Sequence, residues 1–96
     1  MAKGYWIATY RSVSDPDALA RYAKLATPII EAHGGRILAR GIPTRAYEAG
    51  EAQRSVVIEF PNVDAAISAY ESPEYEKVRS ILNGAAEREI RIVEGV

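Results

Sequence analysis

The chain has no cysteine and a single histidine. Without thiols neither a disulfide nor a thiolate metal site can form. One imidazole with no carboxylate at ligand spacing leaves too few donors for zinc, so no metal site is expected. No stretch approaches the roughly 20 apolar residues that a membrane-spanning helix requires. The opening residues MAKGYWIA lack the apolar core of a secretory signal, and the expected compartment is the cytoplasm. Charge of one sign is missing as well. Twelve Lys and Arg against 13 Asp and Glu leave a formal net charge of −1, which gives no field to attract nucleic acid or an anionic membrane. Phosphate-loop spacing, a Ser-His-Asp arrangement and a flavin motif are all absent, and no cofactor is expected. Internal repeats, linkers and low-complexity tracts are absent too.

What remains is a folded domain of ordinary composition, 48% apolar and 26% charged over 96 residues. The whole chain, residues 1–96, reads as one domain. So short a chain buries only a modest share of its surface, and with no disulfide to add support a second copy is the expected source of further buried area.

Gly4 to Arg11, GYWIATYR, is dense in aromatic and β-branched residues and predicts a strand. Neither of its faces, Tyr5-Ile7-Thr9 or Trp6-Ala8-Tyr10, is strongly polar, so it should lie centrally in a covered sheet. Asp15-Pro16 opens a helix by a cap-plus-proline device. Leu19, Tyr22, Ala23, Ala26, Ile30 and His33 share one face of it, and Pro28 predicts a kink near Lys24 to Pro28. Gly34-Gly35 stops the helix. Arg36 to Arg40 reads as a second strand, with Thr44 to Glu48 as a hairpin extension of it. Arg54 to Phe60 is a third, buried strand. Asn62 caps a second helix, which is restarted by Ser72-Pro73. Glu87 to Glu94, EREIRIVE, alternates as a last strand. The resulting order, βαββαβ with the second helix in two pieces, predicts an α+β ferredoxin-like split βαβ sandwich with both helical layers on one sheet face. The bare face should then stack on that of a second protomer.

Strand parity assigns Val56, Ile58, Phe60, Ile90 and Ile92 to the helices and a mixed set, with Val57, Glu59, Glu89, Arg91 and Val93, to the other face. Simple alternation puts Arg36, Leu38 and Arg40 together. Glu59 can therefore pair with Arg36 or Arg40, as a structural ion pair or as the wall of a polar pocket.

Two further groups carry possible chemistry. His33, at a helix C-terminus, is either a proton-transfer group or a cap on the last carbonyls. Tyr22, Tyr70 and Tyr75 either orient a flat ligand or pack in the core with a hydroxyl at its edge. Trp6 reads as core.

Lys3-Gly4-Tyr5-Trp6-Ile7, Ala32-His33-Gly34-Gly35-Arg36 through Arg40-Gly41, Glu59-Phe60-Pro61, Tyr70, Ser72-Pro73-Glu74-Tyr75 and Ala85-Ala86-Glu87-Arg88 together resemble the family catalogued as domain of unknown function 1330. That family lies in the dimeric α+β barrel superfamily. The resemblance implies a ferredoxin-like protomer whose sheet stacks on a partner's in a homodimer. Because the superfamily includes cofactor-free monooxygenases and isomerases beside members of no known activity, it implies no single reaction. Two expectations follow. One is a cofactor-independent small-molecule enzyme, oxygenase- or isomerase-like, with His33 as proton-transfer group, Arg40 as clamp for an anionic or carbonyl-containing molecule, and Tyr22, Tyr70 and Tyr75 as walls. The other is a non-catalytic dimeric module that binds a metabolite or protein.

Overall fold

The computed structural model describes residues 2–96. Four strands form one antiparallel sheet: β1 (Gly4–Val13), β2 (Arg36–Gly41), β3 (Ser55–Phe60) and β4 (Ala86–Glu94), in the order β2-β3-β1-β4. Helix α1 (Pro16–Ala32) joins β1 to β2, and α2 (Val63–Glu71) with α3 (Pro73–Arg79) and a short 3₁₀ turn joins β3 to β4. This is the ferredoxin-like order expected from the element pattern, with β1 inside the sheet.

The helix starts have the predicted causes. Asp15, Asn62 and Ser72 accept from the backbone N–H groups of Ala18, Ala65 and Tyr75 at 3.1, 2.8 and 3.2 Å. Each cap contributes about 1 kcal/mol. Helix α1 runs unbroken through Pro28, and Thr27 Oγ1 donates to the Ala23 carbonyl at 2.8 Å. It ends where Gly34 takes φ +89°, a left-handed position that favours glycine. Gly35 passes so close to Ile30 and Phe60 that a Cβ there would lie 2.5 Å from Ile30 Cγ2.

Alternation in β1 and β3 turns Trp6, Ala8, Tyr10, Val56, Ile58 and Phe60 toward the helices, all of them buried. Trp6, Phe60 and Tyr75 are the largest fully buried side chains. The indole stacks on Phe60 with ring centres 6.1 Å apart and meets the edge of Tyr75 at 5.2 Å. Ile90 and Ile92 pack against this core as expected.

Two expectations are corrected. Residues 44–48 form no hairpin arm, since β2 ends at Gly41 and the chain from Ile42 to Arg54 is loop and turn. Arg36 and Arg40 do not share a face either. The β2–β3 register shifts between Ile37 and Ala39, so that Arg36 pairs with Glu59 but Arg40 pairs with Val56. One extra residue reverses the side-chain parity beyond it. The bulge removes Arg40 as a partner for Glu59 and delivers it to the helix side.

Candidate functional site: a guanidinium and phenol cluster under the helices

The same parity that fills the core places arginines at one end of its strands. Arg88 lies two residues before Ile90 on β4, and Arg54 lies two before Val56 at the start of β3. Tyr10, two after Ala8 on β1, pairs with Arg88 across the sheet and donates its backbone N–H to the Arg54 carbonyl at 3.0 Å. Arg40 joins them through the bulge. Above them stand Tyr22 from α1 and Tyr75 from α3.

Arg88 organises this end of the molecule. Its Nη1 donates to Tyr10 Oη at 3.3 Å and Tyr22 Oη at 3.1 Å, and its Nη2 donates to Tyr75 Oη at 2.9 Å. Its guanidinium carbon lies 5.0 Å from the centre of the Tyr22 ring and 5.6 Å from that of Tyr10, within cation–π range. The Tyr22 and Tyr75 hydroxyls also bond each other. Arg40 Nη1 donates to Thr27 Oγ1 at 3.3 Å.

Among the described residues, none of Arg40, Arg54, Arg79 and Arg88 forms an ion pair with a carboxylate. The Nε atoms of Arg54 and Arg79 are buried without an acceptor. A buried donor left without an acceptor is costly, so these open donors beside the partly buried Arg88 are the unusual feature of the molecule.

Two spaces meet at Arg88. An inner cavity of about 30 Å³ is walled by Tyr10, Tyr22, Ala26, Arg40, Arg54 and Arg88 among others, enough for a water or the head of a small group. Outside it, a cleft of about 580 Å³ lies between β4 and the helical layer, lined by residues that include Tyr70, Arg79, Leu82, Glu87, Arg88 and Ile90. That volume falls in the range of small-molecule sites.

Burial pushes the Tyr75 phenol well above its ordinary value, and the neighbouring Tyr22 adds to the effect. Burial likewise raises Tyr10, with Arg88 working against it. Burial opposes the charge on Arg88, and the tyrosine oxygens more than offset that, so it stays a cation. Tyr75 and Tyr10 are therefore neutral donors near neutral pH, unable to act as tyrosinate bases. The hydrogen count is informative. Three hydroxyls share only one O–H···O bond among themselves, so two phenolic protons have no acceptor among the described residues. The cluster offers hydrogen-bond donors in excess and almost no acceptors. Such an arrangement can hold an anion or stabilise charge developing on an oxygen.

Of the residues singled out from the sequence, Tyr22 and Arg40 line the inner cavity and Tyr70 the outer cleft, while Tyr75 lines neither and joins the cluster through its hydroxyl, with its ring 5.3 Å from that of Tyr70. His33 stands apart. Its Nδ1 bonds the Ile29 carbonyl at 2.9 Å at the end of α1, and it is not among the residues lining either space. Sequence reasoning missed Arg88, Tyr10, Arg54 and Arg79. The first three were within reach, because extending the apolar parity by one step lands on each. An arginine in step with Ile90 and Ile92 is a polar group on a core stripe.

The fold defines the class: a ferredoxin-like α+β protein. Within that class the chain belongs to the family described as domain of unknown function DUF1330, whose profile matches residues 3–96. Among solved structures it is similar to a protein of unknown function from Rhodopseudomonas palustris, at TM-score 0.73 and 18% identity, covering 99% of this chain and 83% of that one. A dimeric ferredoxin-like protein of unknown function from Thermobifida fusca matches at TM-score 0.66 and 15% identity, covering 97% and 91%. A provisionally assigned antibiotic biosynthesis monooxygenase from Caulobacter crescentus matches at 0.64 and 16%, covering 99% and 91%. At these identities the likenesses establish the fold alone. No curated protein matches the chain by sequence comparison.

Proposed function

We propose that this protein works as a homodimer that holds a small organic anion between helices and sheet. In this reading Arg88 is the anchor, Tyr10, Tyr22 and Tyr75 are orienting phenols, and Arg40 is a secondary clamp. The observation that carries it is the donor excess at Arg88: a half-buried guanidinium whose side-chain hydrogen-bond partners among the described residues are all hydroxyls. An anionic ligand supplies the missing acceptors and the missing charge. His33 serves this reading as a helix cap.

The expected chemistry is cofactor-independent, of the oxygenase or isomerase kind. A guanidinium and neutral phenols stabilise an enolate-like or phenolate-like oxygen once it forms. The carboxylate lining the outer cleft, Glu87, is the group available to accept a proton. The provisional assignment of the Caulobacter crescentus neighbour favours this reading over a purely non-catalytic module. For the dimer, support comes from the uncovered sheet face, where Ile7, Val57 and the half-exposed Val93 lie among charged residues, and from the dimeric neighbours.

Native mass spectrometry of gently purified protein tests both parts. A dimer with an added small anionic mass that is lost in Arg88→Leu is expected. A monomer ends the dimer assignment, and a bound mass retained by Arg88→Leu ends the anchor assignment.

A further inference from the structure

Two guanidinium groups, not one, line the outer cleft without an ion-pair partner. Arg79 stands at the last turn of α3, and its guanidinium carbon lies 5.1 Å from the centre of the Tyr70 ring. Its Nε is buried with no acceptor. The helix C-terminus explains why a cation is tolerated at that point, but it provides nothing for Nε to donate to. Arg88 occupies the other wall of the same cleft. Packed aromatic rings connect the two sites. Arg79 covers Tyr70, Tyr70 lies 5.3 Å from Tyr75, and Tyr75 Oη receives Arg88 Nη2 at 2.9 Å. The same cleft carries apolar lining from Leu82, Ala86, Ile90 and Ile92 beside the polar Asn83, and Glu87 is the carboxylate in the lining.

We infer that the cleft is built for a compact dianion: two acidic groups on a short apolar or aromatic skeleton, one held by Arg88, the other by Arg79. A molecule with one acidic group would leave one guanidinium unmatched. A free phosphate would satisfy one end and leave the apolar part of the lining uncovered. The inference deepens the anion-binding reading and rests on it. Arg79 is assigned as the residue that distinguishes two-headed from one-headed ligands.

Calorimetric titration with benzoate and with the three benzene dicarboxylates, phthalate, isophthalate and terephthalate, separates the two claims. At least one dicarboxylate is expected to bind ten-fold or more tightly than benzoate. Arg79→Leu should erase that advantage while leaving benzoate affinity unchanged, and Arg88→Leu should weaken all four. If benzoate binds through Arg88 but no dicarboxylate improves on it, the dianion inference is overturned and the anion site stands. Survival of the advantage in Arg79→Leu overturns the inference in the same way. If none of the four binds, the anion site and the inference fall together. Circular dichroism of each variant confirms folding. Should Arg79→Leu fail to fold, the wild-type comparison of benzoate with the dicarboxylates still decides the matter.

Discussion

The two faces of the sheet treat arginine in opposite ways. On the open face three guanidinium groups have carboxylates: Arg36 meets Glu59 at 3.3 Å, and both Arg11 and Arg91 meet Glu89. Lys3 also approaches Glu59 at 3.8 Å, and Tyr5 donates to its other oxygen at 3.1 Å. The hydrogen bond from Arg11, with its charge, holds the Glu89 carboxyl below its usual range. On the helix face Arg40, Arg54, Arg79 and Arg88 have hydroxyls, aromatic rings or no partner at all. The open face thus closes its charges within the protomer, as a surface that meets solvent or another copy must. The helix face leaves positive charge uncompensated on the partly buried Arg54, Arg79 and Arg88, where an anion is screened less than on an open surface.

Four comparisons break or sharpen this contrast. The largest effect falls on the buried ring that links core and cluster. Tyr75→Ala removes a side chain with 0% exposure and should cost about 3–5 kcal/mol of stability. Tyr5→Ala on the open face should cost well under half as much, and urea denaturation midpoints compare the two.

Next in size is ligand binding. Arg88→Leu should reduce affinity for the captured anion at least ten-fold, whereas Arg36→Leu on the opposite face should leave it unchanged. Titration calorimetry reads both, and equal losses would remove the distinction between the faces.

Alkaline titration gives a smaller effect. Tyr75 is raised above the ordinary phenol value of 10.0 by burial first. Its contribution to stability is therefore complete below about pH 10 and declines as pH climbs toward its folded value, because the unfolded chain loses that proton first. Thermal melts above pH 10 should fall less steeply in Tyr75→Phe than in the wild type. The smallest change is expected for Glu59→Gln. It breaks exposed pairs worth at most about 1 kcal/mol, and the difference should shrink as salt is added.

The fold was largely legible because its signals are local. Asx and Ser caps, prolines at helix starts, the glycine stop and two-residue alternation each act over a few residues, and each performs as its chemistry dictates. The aromatic triad Tyr22, Tyr70 and Tyr75 was half legible. Helical spacing selected the residues, but it gave no sign that two of the hydroxyls meet over a guanidinium. His33 drew attention as the sole imidazole, either a proton-transfer group or a cap, and its place at a helix end, with Nδ1 at the Ile29 carbonyl, is local information. Arg40 was chosen for a face it does not occupy, because a bulge of one residue leaves no mark in a sequence as short as RILAR.

By itself, then, the sequence determined the order of the elements, where the helices begin and stop, and which apolar residues enter the core. These follow from backbone hydrogen bonding and apolar periodicity within single segments. Tertiary structure decided the cluster. Arg88 is 66 residues from Tyr22 and 78 from Tyr10 along the chain, and only sheet register and helix packing bring their polar atoms to hydrogen-bonding distance. The same packing decided which arginines found carboxylates and which were left with open donors, a property of partners across the fold that no single segment contains.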